Sequence, residues 1–255
     1  MTQLVLSLFP GIGLLDMAFE EEGFCVVRGP DLLWGGDIRR FHPPVGRFDG
    51  VIGGPPCKRF SPLANINRVR YGEECLAPDL IPEYERVVAA ARPVWFVMEN
   101  VPQAPQPHVH GYAVHDTILN NRWCGGEQNR QRRFSFGTRD GRKFYPETEA
   151  LEPMAFEPAV TASAGGRRAV AVLDANGRVR GKQGDADWHR LKGRSLARMC
   201  ELQGLPTDYL ADAPITEAGK LEAIGNGVPL PMGRAVAKAV REAIERAVSP
   251  EGCGR

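Results

Sequence analysis

Short apolar runs alternate with helical stripes along most of the chain. Leu4-Val5-Leu6-Ser7-Leu8-Phe9 has the length of a strand and stops at Pro10-Gly11; Leu14, Leu15, Ala18 and Phe19 then recur at helical spacing before Gly23. Further strand-like runs fall at Phe24–Val27, Gly50–Ile52, Val94–Met98 and Phe134–Phe136, with a helical pattern through Leu80, Tyr84, Val87, Val88 and Ala91 between them. Strands alternating with helices predict an α/β domain with a mostly parallel sheet. From Thr138 to about Lys192 the texture turns to Gly, Pro and polar residues, with one strand expected over Ala169–Leu173 and a turn at Asn176-Gly177. A helix over Ser195–Gln203 and a longer one over Met232–Ala247, with an apolar stripe through Val236, Ala239, Val240 and Ala243, return to the core. The expected organisation is therefore a core made of residues 1–137 and 193–255, with a small inserted lobe over 138–192.

Composition adds few constraints. With 255 residues, 43% hydrophobic and 25% charged, the chain can bury a core without metals or disulfides. Cysteines at 25, 57, 75, 124, 200 and 253 form no Cys-x-x-Cys pair, which points to a reducing compartment and against a zinc site; no metal is expected. The N-terminus shows neither a basic leader nor a long apolar stretch, so a cytoplasmic protein with no membrane partner is expected. Net charge is +1, yet Gln128–Lys143 carries Arg130, Arg132, Arg133, Arg139, Arg142 and Lys143 against Asp140 alone. A nucleic-acid partner needs such a local excess, although a solvated face produces one equally well.

The chemistry-bearing candidates lie where runs end. Phe9-Pro10-Gly11-Ile12-Gly13 joins the first strand to the first helix, a place where backbone comes close to a ligand; Asp16 stands where a dinucleotide turn would want its third glycine, which disfavours a nicotinamide cofactor. Asp31 follows the second strand and can hold ribose hydroxyls, while Asp37 after Gly35-Gly36 can accept from an adenine amino group. Gly53-Gly54-Pro55-Pro56-Cys57 fixes a thiol on a rigid turn beyond a strand, a presentation that a buried structural cysteine does not need. Glu99-Asn100-Val101 ends a neighbouring strand, so a carboxyl can face the same pocket. Gln128-x-Arg130-x-Arg132 has a two-residue period that places both guanidiniums on one side of a strand. Leu202-Gln203-Gly204-Leu205-Pro206 and Gly225-Asn226-Gly227-Val228-Pro229 mark two glycine turns near the last helices.

Taken in order, these six motifs resemble those of the DNA cytosine-5 methyltransferases, and among them a compact, phage- or prophage-like member. The resemblance covers nearly the whole chain outside 138–192. It implies a Rossmann-like fold for S-adenosylmethionine-dependent methyl transfer, a catalytic and cofactor-binding core, and a small target-recognition lobe. It places S-adenosylmethionine, or a modified form of it, against Phe9, Gly11, Ile12, Gly13, Asp31, Asp37, Ile38, Pro56, Leu80, Asn226 and Val228. It makes Cys57 the nucleophile, puts Glu99 on the cytosine edge, and sets Arg130 and Arg132 beside the thiolate and the cytosine oxygen. The implied substrate is double-stranded DNA with the target cytosine flipped out of the stack, and the implied enzyme is a monomer.

The chain departs from the family pattern at Ser7, where an acidic residue often stands, at Glu127, in place of proline, and at Lys58, in place of glutamine. None of these removes a chemical role. Three other readings compete: carboxymethyl or similar transfer from a modified donor, kept open by Lys58, Arg59 and Gly227; tRNA cytosine methylation, whose usual Cys-Phe-Thr triplet does not occur; and a catalytically silent DNA-binding homologue, which would be expected to have lost Cys57, Glu99 or the arginines. Base-reading arginines are expected in the lobe, with Arg139, Arg142, Arg167, Arg168, Arg178 and Arg180 available.

Overall fold

The computed structural model describes residues 2–60, 77–149, 157–160, 172–173, 179–180 and 194–246. Strand β1 (Leu4–Leu8) leads through a glycine turn into α1 (Leu14–Glu21), followed by β2 (Cys25–Arg28), β3 (Gly50–Gly53), α2 (Ile81–Ala91) and β4 (Trp95–Asn100). Then come β5 (Ala113–Asn120), the short β6 (Gln128–Asn129), β7 (Gln131–Thr138) and the two-residue strands β8 (Glu157–Pro158), β9 (Val172–Leu173) and β10 (Val179–Arg180). Helices α3 (Leu196–Leu202), α4 (Glu217–Asn226) and α5 (Leu230–Glu245) complete the order.

Six strands form one sheet in the order β2-β1-β3-β4-β7-β5. The first four run parallel; β7 pairs antiparallel with both β4 and β5, so β5 runs in the same direction as the first four. Because β2 and β3 lie on opposite sides of β1, the strand order reverses between β1 and β3, and the crevice beyond their carboxyl ends is where open α/β sheets bind ligands. The turns 9–13 and 53–57 both open there.

Apolar side chains cover both faces, as parallel strands require. One face packs α1, α3, α4 and α5 around Phe19, Trp95, Phe134 and Phe136, and the other packs α2 around Tyr84, Phe96 and Met98. Two aromatic residues lie across glycines on the next strand: a β-carbon on Gly50 would meet the Trp95 ring at 2.2 Å, and one on Gly137 would meet Phe96 at 2.2 Å. On α5, Gly233 lets α1 approach to Ala18.

The α/β class and the mostly parallel sheet agree with expectation, and every strand and helix foreseen in the core is present within a few residues. Two of the longer core elements were not foreseen. Ala113–Asn120 is an edge strand whose mixed sequence Ala-Val-His-Asp-Thr-Ile-Leu-Asn reflects exposure along much of its length. Glu217–Asn226 contains two glycines and only a weak apolar stripe, yet Ala223 and Ile224 are buried. The expected 138–192 lobe lies largely outside the described residues. Its first part packs on the core, with Phe144 buried and Arg142 donating to the Ile244 carbonyl at 3.3 Å. Of the strand expected over 169–173, Val172–Leu173 is described and pairs antiparallel with Val179–Arg180.

Candidate active site

The turn after β1 is held in a conformation that needs support. Phe9 has φ 56°, a left-handed value costly for any residue with a β-carbon, and Gly11 and Gly13 have φ 55° and 82°. Asp31 braces this turn: one carboxylate oxygen accepts from Gly11 N at 2.8 Å and the other from Leu33 N at 2.7 Å. Trp34 Nε1 donates to the Gly11 carbonyl at 2.7 Å, and Tyr209 Oη donates to that of Ile12 at 3.0 Å. Beneath the turn, Asp16 in the first turn of α1 is wholly buried, accepting from Ser7 Oγ and, at 3.0 Å, from Arg28 Nε. Burial pushes its carboxyl above the ordinary value against the pull of Ser7 and Arg28.

A cavity of about 450 Å³ opens beside these groups, within the usual size of small-molecule sites. Phe9, Gly11, Ile12, Asp31, Asp37, Ile38, Pro56, Leu80, Asn226 and Val228 all line it, and so do Cys57, Glu99 and Arg132. Gly13 is not among its lining residues; it caps α1, and a β-carbon there would meet the Arg28 guanidinium at 2.5 Å. Asp37 caps a short turn and chelates the Arg39 guanidinium at 3.0 Å, which holds its carboxyl below the ordinary value. This donor set suits a nucleoside with a cationic tail: apolar faces at Phe9, Ile38 and Leu80 for a flat base, carboxylates for hydroxyl and amino groups, and open space over Gly11, where a β-carbon would touch nothing within 4 Å.

At the other end of the cavity, the diproline before Cys57 is pinned by Asn100 Nδ2, which donates to the Pro55 carbonyl at 3.1 Å. Glu99 lies against Gly54, where a β-carbon would come within 2.8 Å of Oε2. Glu99 is 7% exposed and pairs through Oε1 with Arg132 Nε at 2.8 Å. Burial raises its carboxyl above the ordinary value, opposed by Arg132 and Arg130. Cys57 is likewise raised, by burial first and then by the Glu99 charge, against the pull of Arg132 and Arg130. In this structure desolvation and the neighbouring carboxylate outweigh both guanidiniums, and protonating Glu99 removes one of the two opposing causes.

Arg130 occupies the break between β6 and β7 rather than one continuous strand, and is 2% exposed. Its guanidinium donates to the carbonyls of Val160, Gly225 and Gly227, the last two at 3.1 Å. Burial lowers it to about 9, which leaves it charged at neutral pH. Gln128 donates to the Leu202 carbonyl at 2.6 Å and accepts from Val160 N at 2.9 Å, while Gln203 donates to the Ile224 carbonyl at 2.6 Å. Motifs far apart in the chain thus form one buried lattice around the turn that carries Asn226.

The features that opened the modified-donor reading have structural partners. Lys58 Nζ pairs with Glu222 at 2.6 Å, Arg59 donates to the Ala77 carbonyl at 3.5 Å, and a β-carbon on Gly227 would crowd Leu14 at 3.2 Å. Sequence reasoning missed several site residues, among them Glu222 on the cavity lining and Trp34 and Tyr209, which brace the turn after β1. Trp34, three residues after Asp31, was the one with a local signal. Of the arginines expected to read bases, Arg142 pairs with Asp140 and Arg139 stacks 4.9 Å from the Tyr112 ring centroid; Arg167, Arg168 and Arg178 lie outside the described residues, and Arg180 is described only as part of β10. Among the described residues no helix is long and apolar enough to cross a membrane, and no three acidic, His or Cys side chains group as a metal site.

The C-5 cytosine-specific DNA methylase family model matches residues 35–162, half of the chain, and spans the Gly-Pro-Pro-Cys, Glu-Asn-Val and Gln-x-Arg-x-Arg motifs. Relatives include the Type II methyltransferase M.HgiDI of Herpetosiphon aurantiacus, 28% identical over 53% of this chain and 52% of that protein. The Type II methyltransferase M.AquIA of Picosynechococcus sp. is 31% identical over 58% of this chain and 77% of that protein. The orphan methyltransferase M.SPRI of Bacillus phage SPR is 27% identical over 53% and 38%. The chain spans about half the length of the first two curated relatives it matches. In fold it is similar to the Entamoeba histolytica methyltransferase EhMeth, with a TM-score of 0.66 at 11% identity over 96% of this chain and 99% of that one. It is also similar to the S. pombe Dnmt2 methyltransferase, with a TM-score of 0.61 at 13% identity over 96% and 99%.

Proposed function

The chain belongs to the C-5 cytosine-specific DNA methylase family, and from that premise we propose that it methylates carbon 5 of a cytosine in double-stranded DNA, with Cys57 as the nucleophile and S-adenosylmethionine as the donor. One observation carries the reading: a single cavity joins Phe9, Asp31 and Asp37 at one end to Cys57, Glu99 and Arg132 at the other.

S-adenosylmethionine, when bound, supplies an electrophilic methyl group on a sulfonium. Phe9, Ile38 and Leu80 would hold its base, Asp31 and Asp37 would accept from its hydroxyl and amino groups, and the braced turn at Gly11 would leave room for the chain. Cytosine carbon 5 is a weak nucleophile, so the Cys57 thiolate adds to carbon 6 and makes carbon 5 electron-rich. Burial raises the Glu99 carboxyl above its ordinary value against the pull of Arg132; in its protonated form it would donate to ring nitrogen 3 as the adduct forms, and in that form it no longer opposes ionisation of Cys57. Arg132 stabilises charge on the cytosine oxygen. Carbon 5 would then take the methyl group as the donor's methyl–sulfur bond breaks to leave a neutral thioether; passage of the carbon-5 proton to solvent and return of the nitrogen-3 proton to Glu99 would regenerate the ring and expel the Cys57 thiolate. A base inside a duplex cannot reach this cavity, so the cytosine is rotated out of the stack.

DNA carrying 5-fluorocytosine tests the reading, because fluorine cannot leave as a cation. Wild-type protein with S-adenosylmethionine should form a complex stable to denaturant, and Cys57→Ser should form none while still binding the cofactor. Retention of more than a few per cent of methyl transfer by Cys57→Ser would remove Cys57 from the chemistry.

A further inference from the structure

We propose that Glu222 is a positioning residue for Cys57, acting through Lys58; the proposal rests on the reading of Cys57 as the nucleophile. Upstream of Cys57 the backbone is fixed by Pro55-Pro56 and by the Asn100 bond to the Pro55 carbonyl. Downstream, Phe60 N donates to the Cys57 carbonyl at 2.9 Å, which closes one short turn, Lys58–Phe60. Lys58 is the first residue of that turn. Its Nζ reaches Glu222 Oε1, 2.6 Å away and 164 residues distant in sequence, on α4. Both side chains line the cavity, and both are half exposed or more, so the pair crosses its rim from the nucleophile's turn to the helix that ends in Asn226.

That helix is itself immobilised. Thr216 caps its start, and Gln203 and Arg130 donate to its Ile224 and Gly225 carbonyls. Downstream of Cys57 the turn is also held by Arg59, which donates to the Ala77 carbonyl at 3.5 Å, and by Phe60, which packs against the core; the Lys58–Glu222 pair adds a tie to α4, and so sets the thiol relative to the cofactor end of the cavity. Because the pair is exposed and screened by salt, its effect is modest and depends on ionic strength.

The experiment measures the rate at which the denaturant-stable complex forms on 5-fluorocytosine DNA, in single turnover with S-adenosylmethionine and DNA both saturating. Glu222→Gln and Lys58→Gln should each slow capture by about two- to fivefold at low salt. The deficit should shrink at high salt, and the charge-reversed pair Lys58→Glu with Glu222→Lys should recover most of the rate. If Lys58 serves only to grip a DNA phosphate, Glu222→Gln will bind DNA more tightly and capture at the wild-type rate, which overturns the proposal; so does a reversed pair slower than both single variants. A wild type that forms no complex fails the nucleophile reading and this proposal with it, whereas normal wild-type capture matched by Glu222→Gln overturns the positioning role alone.

Discussion

Glu99 Oε2 lies 2.8 Å from the place a β-carbon on Gly54 would occupy. The carboxylate cannot retreat freely, because its other oxygen is paired with Arg132 and the residue is buried at the end of β4. Gly54→Ala therefore has to push either Glu99 or the turn bearing Cys57. Misplacement of reacting groups by about 1 Å can cost about 100-fold in rate. We expect single-turnover methyl transfer to fall by about 10–100-fold while calorimetry shows S-adenosylmethionine affinity close to wild type. An unchanged rate would mean that the contact relaxes harmlessly.

Burial raises the Glu99 pKa, so its sign in the stability balance is fixed. A carboxyl whose folded value lies above its unfolded one stabilises the protein fully below the unfolded value, and that contribution is lost as pH rises through the folded value. Glu99→Gln cannot titrate. The melting temperature of the variant relative to wild type should therefore be higher at pH 7 than at pH 4. The reverse trend would show that Arg132 depresses the carboxyl more strongly than burial raises it.

Arg130 donates to three backbone carbonyls, which a lysine cannot reproduce even though it carries the same charge. Arg130→Lys should lower folding stability by about 1–3 kcal/mol in denaturant titration, because buried carbonyls lose partners. It should weaken cofactor binding through the Gly225–Gly227 turn. If the charge near Cys57 were the whole of its role, the lysine variant would fold and bind as wild type does.

Asp31 and Asp37 separate two kinds of cofactor contact. Asp31 also braces Gly11 and Leu33, so Asp31→Ala should reduce folding stability by about 1–2 kcal/mol as well as S-adenosylmethionine affinity. Asp37 is partly exposed and caps only the short turn that carries its partner Arg39, so Asp37→Ala should weaken the cofactor at a smaller cost in folding stability than Asp31→Ala. Melting curves with and without S-adenosylmethionine check both; equal melting temperatures for the two free variants would remove the bracing role of Asp31.

Much of the site was legible in the chain because its chemistry sits where strands stop. Periodicity located β1, β3 and β4, and glycine and proline marked the turns at their ends. A sheet with those strands adjacent brings Phe9, Cys57 and Glu99 to one crevice, since residues at the carboxyl ends of parallel strands share one edge. The sequence by itself therefore determined the α/β class and the glycine- and proline-marked turns at the strand ends, including the one that bears Cys57 and lines the cavity. Tertiary structure decided what depends on neighbours distant in the chain. A period of two cannot show that Arg130 falls in a strand break and spends its guanidinium on Val160, Gly225 and Gly227 while Arg132 reaches Glu99. Nothing near Tyr209 or Glu222 in sequence marks them as partners of Ile12 and Lys58. The direction of the Cys57 shift likewise was not legible, because it is a balance between burial and three charges, and burial exists only once the chain has folded around the thiol.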